Sequence, residues 1–337
     1  MLKRALCHLC AAVLLSAASA SAAETVLRIG SHLQARTTAI SEVVLPWLAA
    51  VRADVGDQIT FREYWGGSLG RHAEKQLELV QSGVLDIGYV LPAYSSGQFP
   101  ELGLFELPYF FESAEVAGLV GWSLYERGRL RGFEQVRLLG LFTTEPAGLF
   151  LRTPVASLND LHGLKVRSIG AIHNRWLEAF GAAAQTMNPI DMNQALSRGM
   201  LDGGIQGWSG MRTFDSFPLV KQAWTVPLGT TAFLLLINRN TWERLAPEVR
   251  EAMLRHGGPA LARASALAFR RFGERIEAEL LQENRVAIRA PDISMGVRQR
   301  SQALHQVWIE RTPDGRQVYE AAVDLRDLLA TDLATGD

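Results

Sequence analysis

The chain has 337 residues, of which 48% are apolar and 20% are charged. That is enough sequence to build two lobes of ordinary domain size. The formal net charge is −1 and no basic block stands out, which argues against nucleic acid as a partner. Thirty glycines and 13 prolines are scattered without a low-complexity linker, so we expect lobes that are interleaved in sequence.

The N-terminus has the order of segments that is typical of a secretory signal peptide. A basic opening at Lys3-Arg4 is followed by an apolar run over 11–20 and by the small-residue pattern Ala18-Ser19-Ala20. The apolar run is shorter than the roughly 20 residues that a membrane-spanning helix needs. We therefore predict a signal peptide over 1–23, cleaved near its end, and a mature protein in the periplasm.

Both cysteines of the chain, Cys7 and Cys10, lie inside this predicted signal peptide. Neither follows the sequence pattern of a lipoprotein signal, so we expect no lipid anchor. After cleavage the mature chain would have no thiol. The sequence thus excludes disulfides, thiolate metal sites and a cysteine nucleophile in the mature protein.

Strands and helices alternate through the first 240 residues. Apolar periodicity and turn residues predict a strand at 26–29, a helix at 38–52 that Pro46 kinks or breaks, a strand at 59–64, a helix at 72–81 and a strand at 84–90. Beyond Pro247 the composition favours helix over 248–283, interrupted at 257–259, and again over 301–329. The pattern predicts an α/β fold with a long helix that braces two lobes.

One short pattern occurs twice. Residues 80–88 and 196–204 share the frame apolar-x-x-Gly-x-Leu-Asp-x-Gly. Each copy predicts a helix that ends at a left-handed glycine and is followed at once by a strand. The repeat is either a coincidence or the mark of two similar lobes whose strands end at a shared cleft. Its two aspartates, Asp86 and Asp202, are better explained by repeated turn chemistry than by general acid/base catalysis.

At these segments the sequence resembles the extracytoplasmic solute-binding proteins of TRAP transporters, the DctP-type family. The resemblance covers about 26–241 and rests on the order of five runs. These are Trp65-Gly66-Gly67-Ser68-Leu69-Gly70, Gly83-Val84-Leu85-Asp86-Ile87-Gly88, Phe105-Glu106-Leu107-Pro108-Tyr109-Phe110-Phe111, Leu158-Asn159-Asp160-Leu161-His162-Gly163-Leu164-Lys165-Val166-Arg167, and Gln194-Ala195-Leu196-Ser197-Arg198-Gly199-Met200-Leu201-Asp202-Gly203.

The resemblance implies a periplasmic-binding-protein clamshell in which two α/β lobes close on a small organic acid. We expect lobe I at 24–145 plus about 235–275, and lobe II at 146–234 plus about 276–325. The family resemblance also implies delivery of the ligand to small and large TRAP membrane subunits. We expect a monomer without a cofactor, a metal site or a catalytic residue.

Arg167 occupies the position at which the family holds the ligand's carboxylate. A guanidinium presents a planar fork of donors that matches a carboxylate and stays charged at any working pH. A buried charge without a protein partner is costly, and a ligand anion would supply that partner. The alternative is an internal ion pair between Arg167 and an acidic residue of the same lobe.

Five further side chains are candidate ligand contacts. His32 follows the first strand, and Gln206 ends the strand that follows the second copy of the repeat. Trp208, Tyr89 and Phe233 are expected to wall the cleft. The alternatives are a surface or capping role for His32 and ordinary core or interface packing for the aromatic residues.

Departures from the family pattern bear on the ligand. Sugar-acid binders of this family carry a second arginine where this chain has Glu145, and the third strand is followed by the apolar pair Leu91-Pro92. Unmatched buried hydroxyls cost about 1–3 kcal/mol each, so a sugar acid is disfavoured. We expect a monocarboxylate with an apolar or aromatic body, or a 2-oxo acid. A dicarboxylate held by His32 or by backbone amides stays open.

Two other functions were weighed. A secreted enzyme is disfavoured, because the chain contains neither Gly-x-Ser-x-Gly nor His-Glu-x-x-His and its seven histidines are dispersed. A periplasmic binding protein that serves an ABC permease or a sensor would have the same clamshell, and the sequence does not separate it from the TRAP interpretation.

Overall fold

The computed structural model describes residues 25–289 and 295–335, so the predicted signal peptide lies outside the described residues. The strands of the described ranges are β1 (Thr25–Gly30), β2 (Ile59–Tyr64), β3 (Ile87–Val90), β4 (Val136–Pro146), β5 (Gly148–Leu151), β6 (Lys165–Ser168), β7 (Ala183–Thr186), β8 (Gly203–Gln206), β9 (Gln222–Trp224), β10 (Thr230–Asn238) and β11 (Ala287–Arg289).

The α-helices of the same ranges are α1 (Leu45–Val55), α2 (Gln76–Gln81), α3 (Ala114–Glu126), α4 (Ala171–Ala179), α5 (Pro189–Ser197), α6 (Trp208–Thr213), α7 (Arg239–Arg244), α8 (Pro247–His256), α9 (Gly258–Glu283), α10 (Met295–Arg311) and α11 (Gly315–Thr335). None of the helices described combines the length and the apolar character that crossing a membrane requires.

The strands form two sheets with the same internal order. The first sheet runs β2-β1-β3-β10-β4, and the second, read from its matching edge, runs β7-β6-β8-β5-β9-β11. In each sheet the first three strands are parallel and the fourth is antiparallel to both of its neighbours. The chain thus builds one arrangement twice, with β11 as an added edge strand, which confirms the predicted two-lobed α/β fold.

The repeated sequence pattern lies at equivalent places in the two lobes. The first copy joins α2 to β3 and the second joins α5 to β8. Gly83 has a φ of +74° and Gly199 a φ of +72°, a region that glycine reaches without steric cost. These glycines end the helices and turn the chain into the central strand of each lobe.

The aspartate of each copy makes the same backbone contacts. Asp86 Oδ2 accepts a hydrogen bond from Arg28 N at 2.8 Å, and Asp86 N donates to Arg28 O at 2.9 Å. Asp202 Oδ2 accepts from Lys165 N, and Asp202 N donates to Lys165 O, both at 2.8 Å. Each carboxylate therefore ties the start of its strand to the neighbouring parallel strand, a structural role.

Two crossing strands and one long helix of the described ranges connect the lobes. Strand β4 of the first sheet continues into β5 of the second through Ala147, and β9 returns to β10 through residues 225–229. These crossing segments contact one another, since Ala147 N donates to Gly229 O at 2.8 Å. Helix α9 is the third connection. Its Phe269 is buried in the core of the first lobe, and its Ile276 in a core of the second.

The lobe boundaries stay a prediction, and two observations bear on them. Strand β10 belongs to the first sheet throughout, so the boundary expected near residue 235 falls inside it. Helix α10 contributes Leu304 to the core of the second lobe, whereas Val318 and Ala322 of α11 are buried in the first. Asp314 has a left-handed φ of +51° between these helices, and the chain reverses there.

Candidate functional site

A cavity of about 420 Å³ is lined by side chains of both lobes. The lining residues on which the site's chemistry depends are His32, Tyr89, Leu91, Tyr94 and Phe233 from the first lobe, and Arg167, Ile169, Gln206, Ser209 and Phe214 from the second. His32 follows β1, and Gln206 ends β8. The cavity therefore lies at the carboxyl ends of the parallel strands, where open α/β sheets bind their ligands.

Arg167 is 1% exposed, and neutral oxygens hold two of its three nitrogens. Its Nε donates to Met187 O at 2.8 Å. Its Nη1 donates to Ile205 O and to Gln206 Oε1, both at 2.7 Å. None of the salt bridges found among the described residues involves Arg167. The internal ion pair considered for this residue is therefore not observed in that part of the chain.

Because the charge of Arg167 is buried, the pKa of its guanidinium is shifted. Burial lowers the pKa of the guanidinium below its ordinary value, and Tyr94 and Glu106 nearby oppose this shift. A guanidinium still keeps its proton at physiological pH. A buried cation that is hydrogen-bonded only to carbonyl oxygens can bind an anion favourably. No protein carboxylate contacts the cation, so none competes with the ligand for it.

Two more polar groups beside Arg167 have no hydrogen-bond partner in the described protein. They are the Nε2 group of Gln206 and the hydroxyl of Tyr94. Gln206 is 4% exposed, and its Oε1 already accepts a hydrogen bond from Arg167. Its amide N–H groups are therefore the donors that remain for a ligand in the cavity. Together with Nη2 of Arg167, these groups form a cluster of donors suited to a carboxylate.

A buried carboxyl and a buried imidazole lie close enough to Arg167 to interact with its charge. Glu106 Oε2 is 3.8 Å from His173 Nδ1, and His173 Nε2 donates to Leu228 O at 2.7 Å. Burial raises the pKa of Glu106 to about 7, although Arg167 opposes the shift. Burial also lowers the pKa of His173 to about 4. Near neutral pH His173 is uncharged, and Glu106 is only partly ionised, which leaves the charge of Arg167 incompletely neutralised.

The first lobe contributes an aromatic wall. Tyr89 stacks on Phe233 with ring centroids 4.9 Å apart and planes inclined by 26°. Phe142 packs against Tyr89 at 5.7 Å, and the imidazole of His32 lies 6.4 Å from the Tyr89 ring. Burial lowers the pKa of His32 to about 4, so this imidazole is neutral at physiological pH. The wall is thus aromatic and uncharged.

Five of the six predicted contact residues line the cavity, and Trp208 does not. Trp208 is 9% exposed and packs edge-on against Phe150 at 5.1 Å and alongside Phe217 at 6.1 Å. Its position as the first residue of α6 turns the indole into the core of the second lobe. The prediction that Trp208 walls the ligand is therefore corrected in favour of core packing, the alternative weighed for it.

Sequence reasoning missed several residues that line the cavity, among them Tyr94, Ile169, Ser209 and Phe214. It also missed the role of Glu106, a buried carboxyl close to Arg167. Tyr94 lies in a 3₁₀ turn, Pro92–Ser95, directly after β3. Its position after a strand was the only feature of the sequence that could have marked it as a site residue. Glu106 is a lone acidic residue inside the apolar run 102–111, a signal that was available. Phe214 lies in the loop after α6 and carries no comparable signal.

Two lobes joined by crossing strands, with a buried cation facing an aromatic wall, define a clamshell ligand-binding protein. The family model for bacterial extracellular solute-binding proteins, family 7, matches residues 30–311. The chain therefore belongs to this family, also called DctP, which confirms the predicted membership.

Two curated relatives match part of the chain. The uncharacterized protein YiiZ of Salmonella typhimurium is 28% identical over 59% of this chain and 62% of its own length. The C4-dicarboxylate-binding periplasmic protein DctP of Rhodobacter capsulatus is 26% identical over 53% of this chain and 55% of its own length. The chain thus matches less than two thirds of either relative.

A solved structure matches almost end to end. It is a TRAP solute-binding protein from an unidentified marine microbe, specific for aromatic acid ligands and crystallised with 3-hydroxybenzoate. The two proteins are 26% identical, with a TM-score of 0.83 over 90% of this chain and 98% of the other.

Proposed function

We propose that this protein captures an organic acid with one carboxylate and an aromatic body, and delivers it to TRAP membrane subunits. The observation that carries the proposal is the buried guanidinium of Arg167, which is held by neutral oxygens and lies in a cavity with an aromatic wall. A carboxylate would meet Arg167, the Gln206 amide and the Tyr94 hydroxyl. The apolar body would contact Tyr89 and Phe233.

The cavity chemistry favours an aromatic monocarboxylate over a C4-dicarboxylate. A second carboxylate would need a second cation, and the imidazole nearest the aromatic wall, His32, is neutral because burial lowers its pKa to about 4. Arg71 also lines the cavity, but it is an exposed residue on the rim. Benzoate-like ligands would instead bury apolar area, at about 25 cal/mol per Å² removed from water. The aromatic-acid specificity of the marine relative supports the same choice.

The proposal also covers the location of the protein in the cell and its oligomeric state. We infer that the mature chain is a periplasmic monomer that is released by cleavage of the segment 1–23 and that catalyses no reaction. Family membership supports extracellular solute binding. Genes for a small and a large TRAP membrane subunit beside this gene would support the transport role. An ABC permease operon in their place would contradict it.

A thermal-shift screen on the purified mature chain tests the ligand class. The probes are benzoate and mandelate for aromatic monocarboxylates, succinate for dicarboxylates and glucuronate for sugar acids. A ligand that binds only the folded state stabilises it by RT ln(1 + [L]/Kd), about 2.7 kcal/mol at 100 times Kd. We expect the aromatic acids to raise Tm most. A larger shift with succinate than with benzoate would contradict the proposal.

A further inference from the structure

The wall of the cavity contributed by the first lobe contains two polar atoms without a partner. The hydroxyl of Tyr89 and the Nδ1 atom of His32 are buried and make no hydrogen bond within the described protein. Tyr89 is 1% exposed, so its hydroxyl is sealed from bulk solvent, and both residues line the cavity. Leaving a buried polar group unsatisfied is unfavourable, and such groups in native proteins call for a specific explanation.

The two side chains that carry these atoms are neighbours in the site. The rings of His32 and Tyr89 lie 6.4 Å apart, and both residues are contributed by the first lobe, from the end of β1 and from β3. Arg167 and Gln206 belong to the second lobe. His32 and Tyr89 are not among the residues that hydrogen-bond to Arg167, so a ligand whose carboxylate is held by Arg167 can turn its other end toward them.

We propose that His32 Nδ1 and Tyr89 Oη recognise a hydroxyl group on the ring of the bound acid, so that the preferred substrates are hydroxylated aromatic monocarboxylates. This inference rests on the proposed function. A hydroxyl donates one hydrogen bond and accepts others, so it can donate to the imidazole nitrogen and accept from the phenol at once.

The uncharged side chains of His32 and Tyr89 suit an uncharged substituent on the ring of the ligand. Burial lowers the pKa of His32 to about 4 although the charge of Glu74 opposes the shift, and burial raises the pKa of Tyr89. Both groups are therefore uncharged at physiological pH. A second carboxylate placed there would lose its hydration without gaining a cation, whereas a hydroxyl would keep its hydrogen bonds.

Titration calorimetry with benzoate, the three hydroxybenzoates and isophthalate tests the inference. We expect at least one hydroxybenzoate to bind about tenfold more tightly than benzoate, and isophthalate to bind more weakly than that isomer. Tyr89→Phe and His32→Phe, which keep a ring, should each reduce the ratio of hydroxybenzoate to benzoate affinity from about tenfold to less than about threefold. Tyr94→Phe is the matched control, because it should weaken both ligands alike.

The stability of the ligand-free protein gives a second readout. Because the Tyr89 hydroxyl has no protein partner, Tyr89→Phe should melt at the same temperature as the wild type or higher. If benzoate binds and no hydroxybenzoate binds more tightly, this inference is wrong while the proposed function stands. If isophthalate binds best, both this inference and the proposed preference for a single carboxylate are wrong. If neither benzoate nor any hydroxybenzoate binds, the proposed function itself fails.

Discussion

Arg167 Nη1 donates a hydrogen bond to Gln206 Oε1 at 2.7 Å. This bond joins the neighbouring parallel strands β6 and β8 at their carboxyl ends. It fixes the orientation of the Gln206 amide, because an arginine can only donate and the amide oxygen must therefore face it. The Nε2 group of Gln206 is left without a protein partner and is available to the ligand.

Gln206→Leu should therefore weaken binding of benzoate. The variant removes a donor to the carboxylate and an acceptor that positions Arg167. Hydrogen bonds to charged groups contribute about 1.5–3 kcal/mol, which corresponds to roughly a 10- to 150-fold loss of affinity. Titration calorimetry measures the loss. Gln185→Leu, at an exposed position on β7, is the control and should bind as the wild type does. Equal affinity of Gln206→Leu and the wild type would rule out this contact.

The buried carboxyl of Glu106 makes stability depend on pH. Its pKa is about 7 in the folded protein and 4.5 ordinarily, so the native state holds the proton more tightly than the unfolded chain does. The free energy of unfolding is thus unaffected below about pH 4.5 and falls as the pH rises toward 7. At 1.36 kcal/mol per pKa unit the full loss is about 3 kcal/mol, an order-of-magnitude figure.

Glu106→Gln should remove that loss. Urea unfolding at pH 5 and pH 8 compares the two proteins, and the decrease in stability between these values should be about 2–3 kcal/mol smaller in the variant. Glu112→Gln, at an exposed position six residues away, is the control and should follow the wild type. Identical pH profiles for Glu106→Gln and the wild type would mean that this carboxyl does not titrate as described.

The repeated aspartates should affect stability and not binding. Asp86 accepts hydrogen bonds from Arg28 and from the hydroxyl of Thr241, whereas Asp202 accepts one from Lys165 N. Asp86→Asn should therefore destabilise the fold by about 1–3 kcal/mol and Asp202→Asn by less. Chemical unfolding measures both. These residues lie at the ends of β3 and β8 that point away from the cavity, so the Kd for benzoate should change less than threefold. A larger change would mean that they belong to the ligand-binding site.

Much of the architecture could be predicted from the sequence. Strand β2 was predicted at its observed bounds, because apolar and polar residues alternate along it. The left-handed glycines of the repeat predicted both helix-to-strand turns. The strand predicted at 84–90 begins only at Ile87, since the residues before it complete the turn. Near Pro46 the chain forms a π-helix, Ala39–Val44, before α1 begins, so the regular helix predicted over 38–52 is interrupted beside the proline.

The site was less accessible to sequence reasoning than the fold. Arg167 was marked by a family motif, whereas Tyr94 and Phe214 lie in loops whose contacts depend on how the lobes meet. Trp208 shows the same limit. A tryptophan two residues beyond a strand end can face either the cleft or the core, and only the packing partners Phe150 and Phe217 decide between them.

Closure of the lobes is a separate expectation. The crossing segments at Ala147 and Gly229 are short connections about which two lobes can rotate, and ligand binding selects the closed state in such hinge motions. Small-angle scattering should give a smaller radius of gyration with saturating benzoate than without ligand. Arg167→Ala should show no decrease at the same concentration. An unchanged radius for the wild type at saturation would contradict the clamshell mechanism.

The central claim, that Arg167 holds the ligand's carboxylate, is tested most directly by calorimetry with benzoate on Arg167→Ala and Arg167→Lys, alongside thermal melts of the ligand-free proteins. Truncating one member of a buried charge pair typically costs about 2–5 kcal/mol, so Arg167→Ala should lose roughly 30- to several-thousand-fold in affinity. Arg167→Lys should recover only part of this, because an ammonium cannot reproduce the planar fork. A dissociation constant that moves less than threefold, while the ligand-free protein loses several kcal/mol of stability, would make Arg167 a structural residue and contradict the assignment.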